Sequence, residues 1–231
     1  MVRNRRPEIM DQPDLDAREH AEALRGLGRI NVLSRTGAVQ WSKIVQVVQR
    51  NQGKTLRVLD IASGGGDLAL ALAARARRAG LDVQVEGCDL SPTAVEFAES
   101  RARAESLTVR FFLWNALSGA LPEGYDVVTC SLFLHHLDDT QAEGLLRRMG
   151  EAAARLVLVD DLIRGRAGYV LALIACHALS RSRVVRADGP ASVEGAYTLE
   201  EAKALAERAG LVGATLEPHW PQRFLLSWSR P

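Results

Sequence analysis

Five places in this 231-residue chain gather side chains that can do chemistry. The first is Val58-Leu59-Asp60-Ile61-Ala62-Ser63-Gly64-Gly65-Gly66-Asp67. Its glycines allow a tight turn and a close backbone approach to a ligand. Asp60, just before the turn, decides which ligand. A carboxylate there repels a pyrophosphate and attracts a molecule carrying ammonium and sulfonium charges. The second place is Asp89-Leu90-Ser91-Pro92, with Asp89 lying 23 residues after Gly66. A carboxylate at a strand end can take both hydroxyls of a ribose, and Leu90 can pack on a base. The third is Trp114-Asn115-Ala116, an indole that can stack and an amide that can pair with an adenine edge. The fourth is Ser131-Leu132-Phe133-Leu134-His135-His136-Leu137-Asp138-Asp139. A histidine titrates near neutrality and can take a proton from a phenolic or enolic hydroxyl. The fifth is Asp160-Asp161, which can orient a histidine, hold a metal, or stand as a solvated loop pair.

These places fall at the ends of apolar runs that must be strands. The pattern predicts strands over 56–61, 83–88, 108–113, 125–130, 156–159, 214–217 and 223–228. Helices are predicted over 68–78, from Pro92 to about Ala104 with Ser91 as cap, from Thr140 to about Ala154, and over 199–208. Alternation at these lengths implies a parallel sheet covered on both faces. Ligands then bind at the carboxyl ends of the strands near the switch point. Ahead of this unit, residues 14–28 and 44–48 carry helical apolar stripes, and Asn51-Gln52-Gly53 breaks the chain. Residues 162–198 interrupt the alternation with small apolar residues and arginines. They read as a lid over the site, or equally as a homodimer face or extra core. Within them Asp188-Gly189-Pro190 reads as a turn.

Together these motifs resemble the class I S-adenosylmethionine-dependent methyltransferases, over roughly residues 55–231. The resemblance implies a Rossmann-like α/β fold with a seven-stranded, mostly parallel sheet and helices on both faces, plus N-terminal helices and an inserted helical lid. It implies an organisation of residues 1–53 as a helical extension and 54–231 as the methyltransferase domain, with an acceptor-side insertion at 162–198. The family's acidic-x-Gly-x-Gly-x-Gly loop maps onto Asp60, Ala62, Gly64 and Gly66. Alanine replaces the first glycine, which matters if that residue has positive φ. The family's ribose carboxylate maps onto Asp89 with Leu90 beside it. The acidic residue that contacts adenine maps onto Asn115, next to Ala116, and an amide there lacks the charge. Tyr125-Asp126-Val127-Val128-Thr129-Cys130-Ser131 resembles the fourth-strand motif. The cofactor implied is S-adenosyl-L-methionine, held by Asp60, Ala62, Gly64, Gly66, Asp89, Leu90, Asn115, Ala116 and Ser131. His135 and His136 are the catalytic candidates, beside a reading in which one packs on the sheet and the other is solvated. Phe133-Leu134-His135-His136 and Tyr197-Thr198-Leu199-Glu200-Glu201 resemble bacterial enzymes acting on quinones and polyketides. Small-molecule members often close the site with N-terminal helices, which suggests that role for residues 7–15.

Composition narrows the alternatives. A charge of +1, from 29 basic and 28 acidic residues, does not suggest a polyanion binder. Cys88, Cys130 and Cys176 show neither disulfide nor zinc spacing, and no metal ligand set is legible. No leader peptide or membrane span is predicted, so a cytoplasmic enzyme of secondary metabolism with a small-molecule acceptor is expected. The expected reaction is O-methylation, with C-methylation open. A nicotinamide-dependent oxidoreductase is the first alternative. Asp60 opposes it, and the residues four after Tyr125, Tyr169 and Tyr197 are Thr129, Leu173 and Glu201, not lysine. A non-catalytic S-adenosylmethionine-binding protein is the second.

Overall fold

The structure is a computed structural model that describes every residue except Pro13 and Gln52. Those two lie inside the predicted N-terminal closing segment and the predicted chain break, so both expectations are answered only for their neighbours. Seven strands form one sheet: β1 (Leu56–Ile61), β2 (Val83–Asp89), β3 (Val109–Leu113), β4 (Tyr125–Ser131), β5 (Ala153–Leu162), β6 (Thr215–His219) and β7 (Arg223–Ser229). Their order is β3-β2-β1-β4-β5-β7-β6. The strands from β3 across to β5 pair in parallel, and β7 runs antiparallel to both of its neighbours. The order reverses between β1 and β4, which is the switch point where such sheets bind ligands.

Helices α3 (Asp67–Ala79), α4 (Pro92–Ala104), α5 (Asp139–Ala152) and α8 (Leu199–Arg208) are the crossovers. Their starts follow from local chemistry. Ser91 caps α4 with Pro92 at its first position, and Asp138 with Gln141 makes a capping box on α5. Thr198 and Glu201 do the same on α8. β5 is longer than the apolar run predicts, because it carries Asp160 and Asp161 into the ladder opposite Leu225 and Phe224. Burying a carboxylate in a strand is costly unless it is paired, and Asp160 and Asp161 both are, as described below.

Apolar residues cluster on both faces of the sheet. One cluster includes Leu145, Met149 and Leu205 from α5 and α8; the other includes Leu68 and Leu72 from α3 with Ile44. Ile44 belongs to α2 (Thr36–Gln49), which follows α1 (Ala17–Ser34). A third, smaller cluster joins Ile9, Met10, Leu15, Ala23, Leu27 and Ile30 to Cys176, Val184 and Val185. It therefore ties the N-terminal segment to the inserted region, which folds as α6 (Arg166–Leu179) and α7 (Arg183–Gly195).

One local expectation fails. Asp188-Gly189-Pro190 is not a turn but lies inside α7. The turn-forming residue types serve tertiary packing instead. A Cβ on Gly189 would come within 2.2 Å of Cys176 Sγ, so glycine lets α6 and α7 touch. The Asp188 carboxylate accepts bonds from the backbone N–H groups of Ile9 and Met10, both at 3.0 Å. Pro190 forgoes one helical bond, and it is buried in that packing.

Candidate active site

The loop after β1 holds three consecutive-but-one residues with positive φ: Ala62 at 51°, Gly64 at 51° and Gly66 at 77°. The glycines take this conformation freely. Ala62 does not, and a non-glycine residue held there costs about 1–2 kcal/mol. The substitution of the family's first glycine is thus a real departure, and the loop carries its strain. Gly64 has open space on its Cβ side, with Leu24 the nearest neighbour at 3.9 Å. Gly66 differs: a Cβ there would meet the Phe111 ring at 2.8 Å. Gly66 lies behind the cavity wall, so it shapes the turn and packs the loop, and the structure does not bring it to the cavity.

Asp60 is 1% exposed, and its Oδ1 has no hydrogen-bond partner. Burial pushes its carboxyl well above the usual range. A backbone bond from Ala69 opposes this, and the charges of Asp89 and Asp67 add to it. Asp60 belongs to the wall of the cavity described below, and an unpartnered buried carboxylate oxygen calls for a hydrogen-bond donor. Asp89 bridges two loops, accepting from Gly64 N at 2.8 Å and from Ser91 N at 2.9 Å. It remains half-exposed to the cavity. Trp114 N donates to Asp89 O at 2.9 Å, joining the ends of β2 and β3. Leu90 stands at the mouth, 67% exposed. Asn115 is exposed; its Oδ1 accepts from Leu117 N at 2.9 Å, so the amide NH2 is what it offers a ligand. Ala116 beside it is buried. Ser131 Oγ accepts from Gln40 Nε2 at 2.8 Å, and Gln40 Oε1 accepts from Thr129 at 2.8 Å.

The other end of the site is built on a 3₁₀ turn, Leu134–His136, directly after β4. His135 is buried. Its Nδ1 lies 2.6 Å from Asp161 Oδ1, and its backbone N–H donates to Asp161 Oδ2 at 3.1 Å. Leu162 N also donates to Asp161, at 2.7 Å. His135 Nε2 lies 3.6 Å from Glu8 Oε1. His136 stacks against it, ring centroids 4.3 Å apart, with Nδ1 2.8 Å from Asp11 Oδ2 and Nε2 3.8 Å from Glu8 Oε2. Ser192 Oγ donates to Glu8 Oε1 at 2.6 Å. Burial opposes charge on His135, but Asp161 and then Glu8 outweigh it and push the imidazole up to about 10. Burial likewise raises Glu8 and Asp161, and the facing imidazoles reverse this, leaving both carboxyls below their ordinary values.

Asp160 and Asp161 therefore each meet a histidine, but on opposite faces of β5. Asp160 Oδ2 lies 2.7 Å from His219 Nε2, and its Oδ1 lies 3.6 Å from Arg223 Nη1. Arg223 also donates to Thr36 Oγ1 at 2.6 Å and to Asn31 Oδ1 at 3.1 Å, and Asn31 Nδ2 donates to Asp67 at 3.0 Å. The pair is neither solvated nor able to share one metal.

One cavity of about 1100 Å³ is walled by Asp60, Ala62, Gly64, Asp89, Leu90, Asn115, Ala116, Ser131, His135 and His136. Leu15, Leu27, Leu171, Ala175 and Val193 close its apolar side. The structure thus brings together every predicted site residue but Gly66. Sequence reasoning missed Glu8, Gln40, His219 and Arg223. None stands in a motif; Glu8 and Arg223 reach the cavity wall, and Gln40 and His219 hold Ser131 and Asp160, by tertiary packing. The doubled carboxylate Asp160-Asp161 was the available signal for His219, since buried carboxylates demand partners.

This geometry agrees with what the chain resembles. A family described as a methyltransferase domain matches residues 58–155. A demethylmenaquinone methyltransferase of Deinococcus radiodurans is 35% identical over 129 residues, 54% of this chain and 52% of that one. Another of the same description, from Thermus thermophilus, is 39% identical over 106 residues, 45% of this chain and 46% of that one. The chain spans about half the length of these curated relatives. A solved putative O-methyltransferase from Nostoc punctiforme shares the fold, with a TM-score of 0.60 and 22% identity, covering 86% of this chain and 58% of that one. Residues 58–155 thus match a methyltransferase domain, and the fold around them is that of solved methyltransferases. No helix among the described residues is long and apolar enough to cross a membrane.

Proposed function

We propose that this protein methylates a hydroxyl on a small aromatic, quinone-like or polyketide-like acceptor, using S-adenosyl-L-methionine. The observation that carries the reading is the single cavity with Asp60 and Gly64 at one end and His135 and His136 at the other. Relatives described as demethylmenaquinone and ubiquinone-biosynthesis methyltransferases support the acceptor class. S-adenosylmethionine supplies a methyl group on a sulfonium centre.

In this reading Asp60 takes the ammonium or adjacent charge with its free oxygen, and Asp89 takes the ribose hydroxyls with its remaining lone pairs. Ala62, Gly64 and Ser131 line the methionine portion, Leu90 and Ala116 hold the base, and the Asn115 NH2 meets an adenine nitrogen. Gly66 contributes by fixing the loop. The N-terminal segment together with α6 and α7 closes the acceptor side, excludes water and offers an apolar wall. Placing the acceptor oxygen in line with the methyl group supplies most of the acceleration. His136, held by Asp11, is placed to take the proton that the hydroxyl loses, and His135, kept charged between Asp161 and Glu8, to orient it. The same positioning acting on an electron-rich carbon would give C-methylation. A cytoplasmic role in secondary metabolism fits this acceptor class. The near-neutral charge favours a small molecule over nucleic acid, and the exposed Val170, Leu173 and Ile174 on α6 suit a homodimer contact.

Calorimetric titration with S-adenosylhomocysteine, NAD(H) and NADP(H) tests the cofactor. Micromolar binding of S-adenosylhomocysteine alone is expected, followed by product formation in a screen of phenols, hydroquinones and pyrones. Binding of a nicotinamide cofactor instead would replace this reading with an oxidoreductase. Cofactor binding without turnover on any acceptor would leave a binding protein.

A further inference from the structure

Glu8, His135 and His136 come from distant parts of the chain and converge on one point. One donor atom from each lies within 4.8 Å of the others. The Glu8 carboxylate is 3.6 Å from His135 Nε2 and 3.8 Å from His136 Nε2. Ligands about 2.1 Å from a tetrahedral ion stand about 3.4 Å apart; the two imidazole–Glu8 spacings, which end on different carboxylate oxygens, are a few tenths of an ångström wider, so the set must contract to close on an ion.

The other ring nitrogens are already committed. Asp161 holds Nδ1 of His135 and Asp11 holds Nδ1 of His136. A carboxylate on one imidazole nitrogen fixes the proton there and aims the opposite lone pair outward, the usual arrangement behind a metal-bound histidine. Two such lone pairs facing a buried carboxylate repel it. Something positive must occupy the gap: protons on the imidazoles, or a cation.

We propose that Glu8, His135 and His136 bind one divalent transition cation of the zinc class, with its open coordination positions facing the cavity. Two imidazoles and one carboxylate suit zinc, cobalt, iron or nickel and are a poor set for magnesium or calcium, which favour oxygen. Three protein ligands leave room for an acceptor oxygen, whose proton a bound cation would make easier to lose. Glu8 is fixed for this by Ser192 and by the anchoring of Ile9 and Met10 on Asp188. The N-terminal segment thus completes the site as it packs on α7. This deepens the methyl-transfer reading by replacing the histidines' direct proton role with acceptor binding through the cation, and cofactor binding does not depend on it.

The test is calorimetry of chelator-treated protein with zinc, cobalt(II) and magnesium, with S-adenosylhomocysteine titrated in parallel. One equivalent of zinc or cobalt is expected to bind, with proton release and visible cobalt bands of a four- or five-coordinate site. Magnesium should not bind. Glu8→Gln keeps the Ser192 contact, and it and His136→Ala should each weaken zinc at least about tenfold, with S-adenosylhomocysteine affinity retained. No zinc binding, or zinc binding unchanged in both variants, would overturn the proposal and leave protons in the gap. Loss of S-adenosylhomocysteine binding in the unaltered protein would instead count against the cofactor reading alone.

Discussion

The two ends of the cavity are assembled differently. The proposed cofactor end comes from neighbouring strand ends: residues 60–66 at the end of β1, Asp89 at the end of β2 and Asn115 after β3. Those loops are shaped by local positive φ, turns and caps, and Asp89 ties each to the next. The proposed acceptor end comes from residues 8–11, 135–136, 161 and 188–192, and its geometry rests on long-range pairing. The cofactor end should therefore tolerate changes to the insertion and N-terminus. The acceptor end should fail when any one partner is lost.

The sharpest way to break this contrast is Asp161→Ala. It removes the carboxylate that holds the buried His135 by two bonds. Breaking a buried ion pair by deleting one partner costs about 3–5 kcal/mol, so urea unfolding should show a loss of that size. A loss under about 1 kcal/mol would mean that His135 is not held by Asp161. Asp89→Ala acts at the other end. The ribose bonds it would make are worth on the order of 1–3 kcal/mol of cofactor affinity, read by S-adenosylhomocysteine titration. Overall stability should fall less than in Asp161→Ala, because Asp89 is only half-buried. Unchanged affinity would remove Asp89 from the site.

This difference also explains what the sequence made legible. Strand ends, caps and glycine turns are written in neighbouring residues, so the sheet, the cap Ser91 and the glycine turn after β1 could be read directly. The seven strands follow from apolar runs whose ends fall within a few residues of those expected. Glu8 could not be read: a lone glutamate after Pro7 has no local signature, and its burial depends on Ser192 and both histidines. The same holds for Gln40, whose amide links Ser131 to Thr129. Asp188-Gly189-Pro190 misled because turn-forming types were recruited for helix contact.

A smaller effect, with opposite signs for stability and binding, is expected of Asp60→Asn. Burial raises the Asp60 carboxyl well above its unfolded value. A group raised in the folded state binds its proton more tightly there, so folding loses stability as pH rises from the ordinary carboxylate range towards the folded value. Removing the ionisation should then stabilise the ligand-free protein at neutral pH, with the gain vanishing near pH 4, the unfolded range of about 3.9. Cofactor affinity should fall, because the amide cannot meet a cation. Thermal melts across pH, with and without S-adenosylmethionine, check both halves. A variant stabilised equally at every pH would mean that the carboxyl's ionisation is not the cause.

Ala62 offers the finest test, because it separates loop strain from loop function. Its φ of 51° costs about 1–2 kcal/mol in an alanine. Glycine removes that cost but adds about 0.5–1 kcal/mol of unfolded-state freedom. Ala62→Gly should therefore raise stability by only about 0.5–1 kcal/mol, the difference of the two. Ala62→Val should lower it, since a β-branched side chain resists positive φ more strongly. Neither change removes a polar contact to the cofactor, so binding should follow the loop's order. Tighter S-adenosylhomocysteine binding in the glycine variant would mean that the strain is relieved in the ligand-bound loop. An unchanged constant, with the stability gain present, would mean that the strain persists equally in both states and serves only to hold the turn between Asp60 and Gly64.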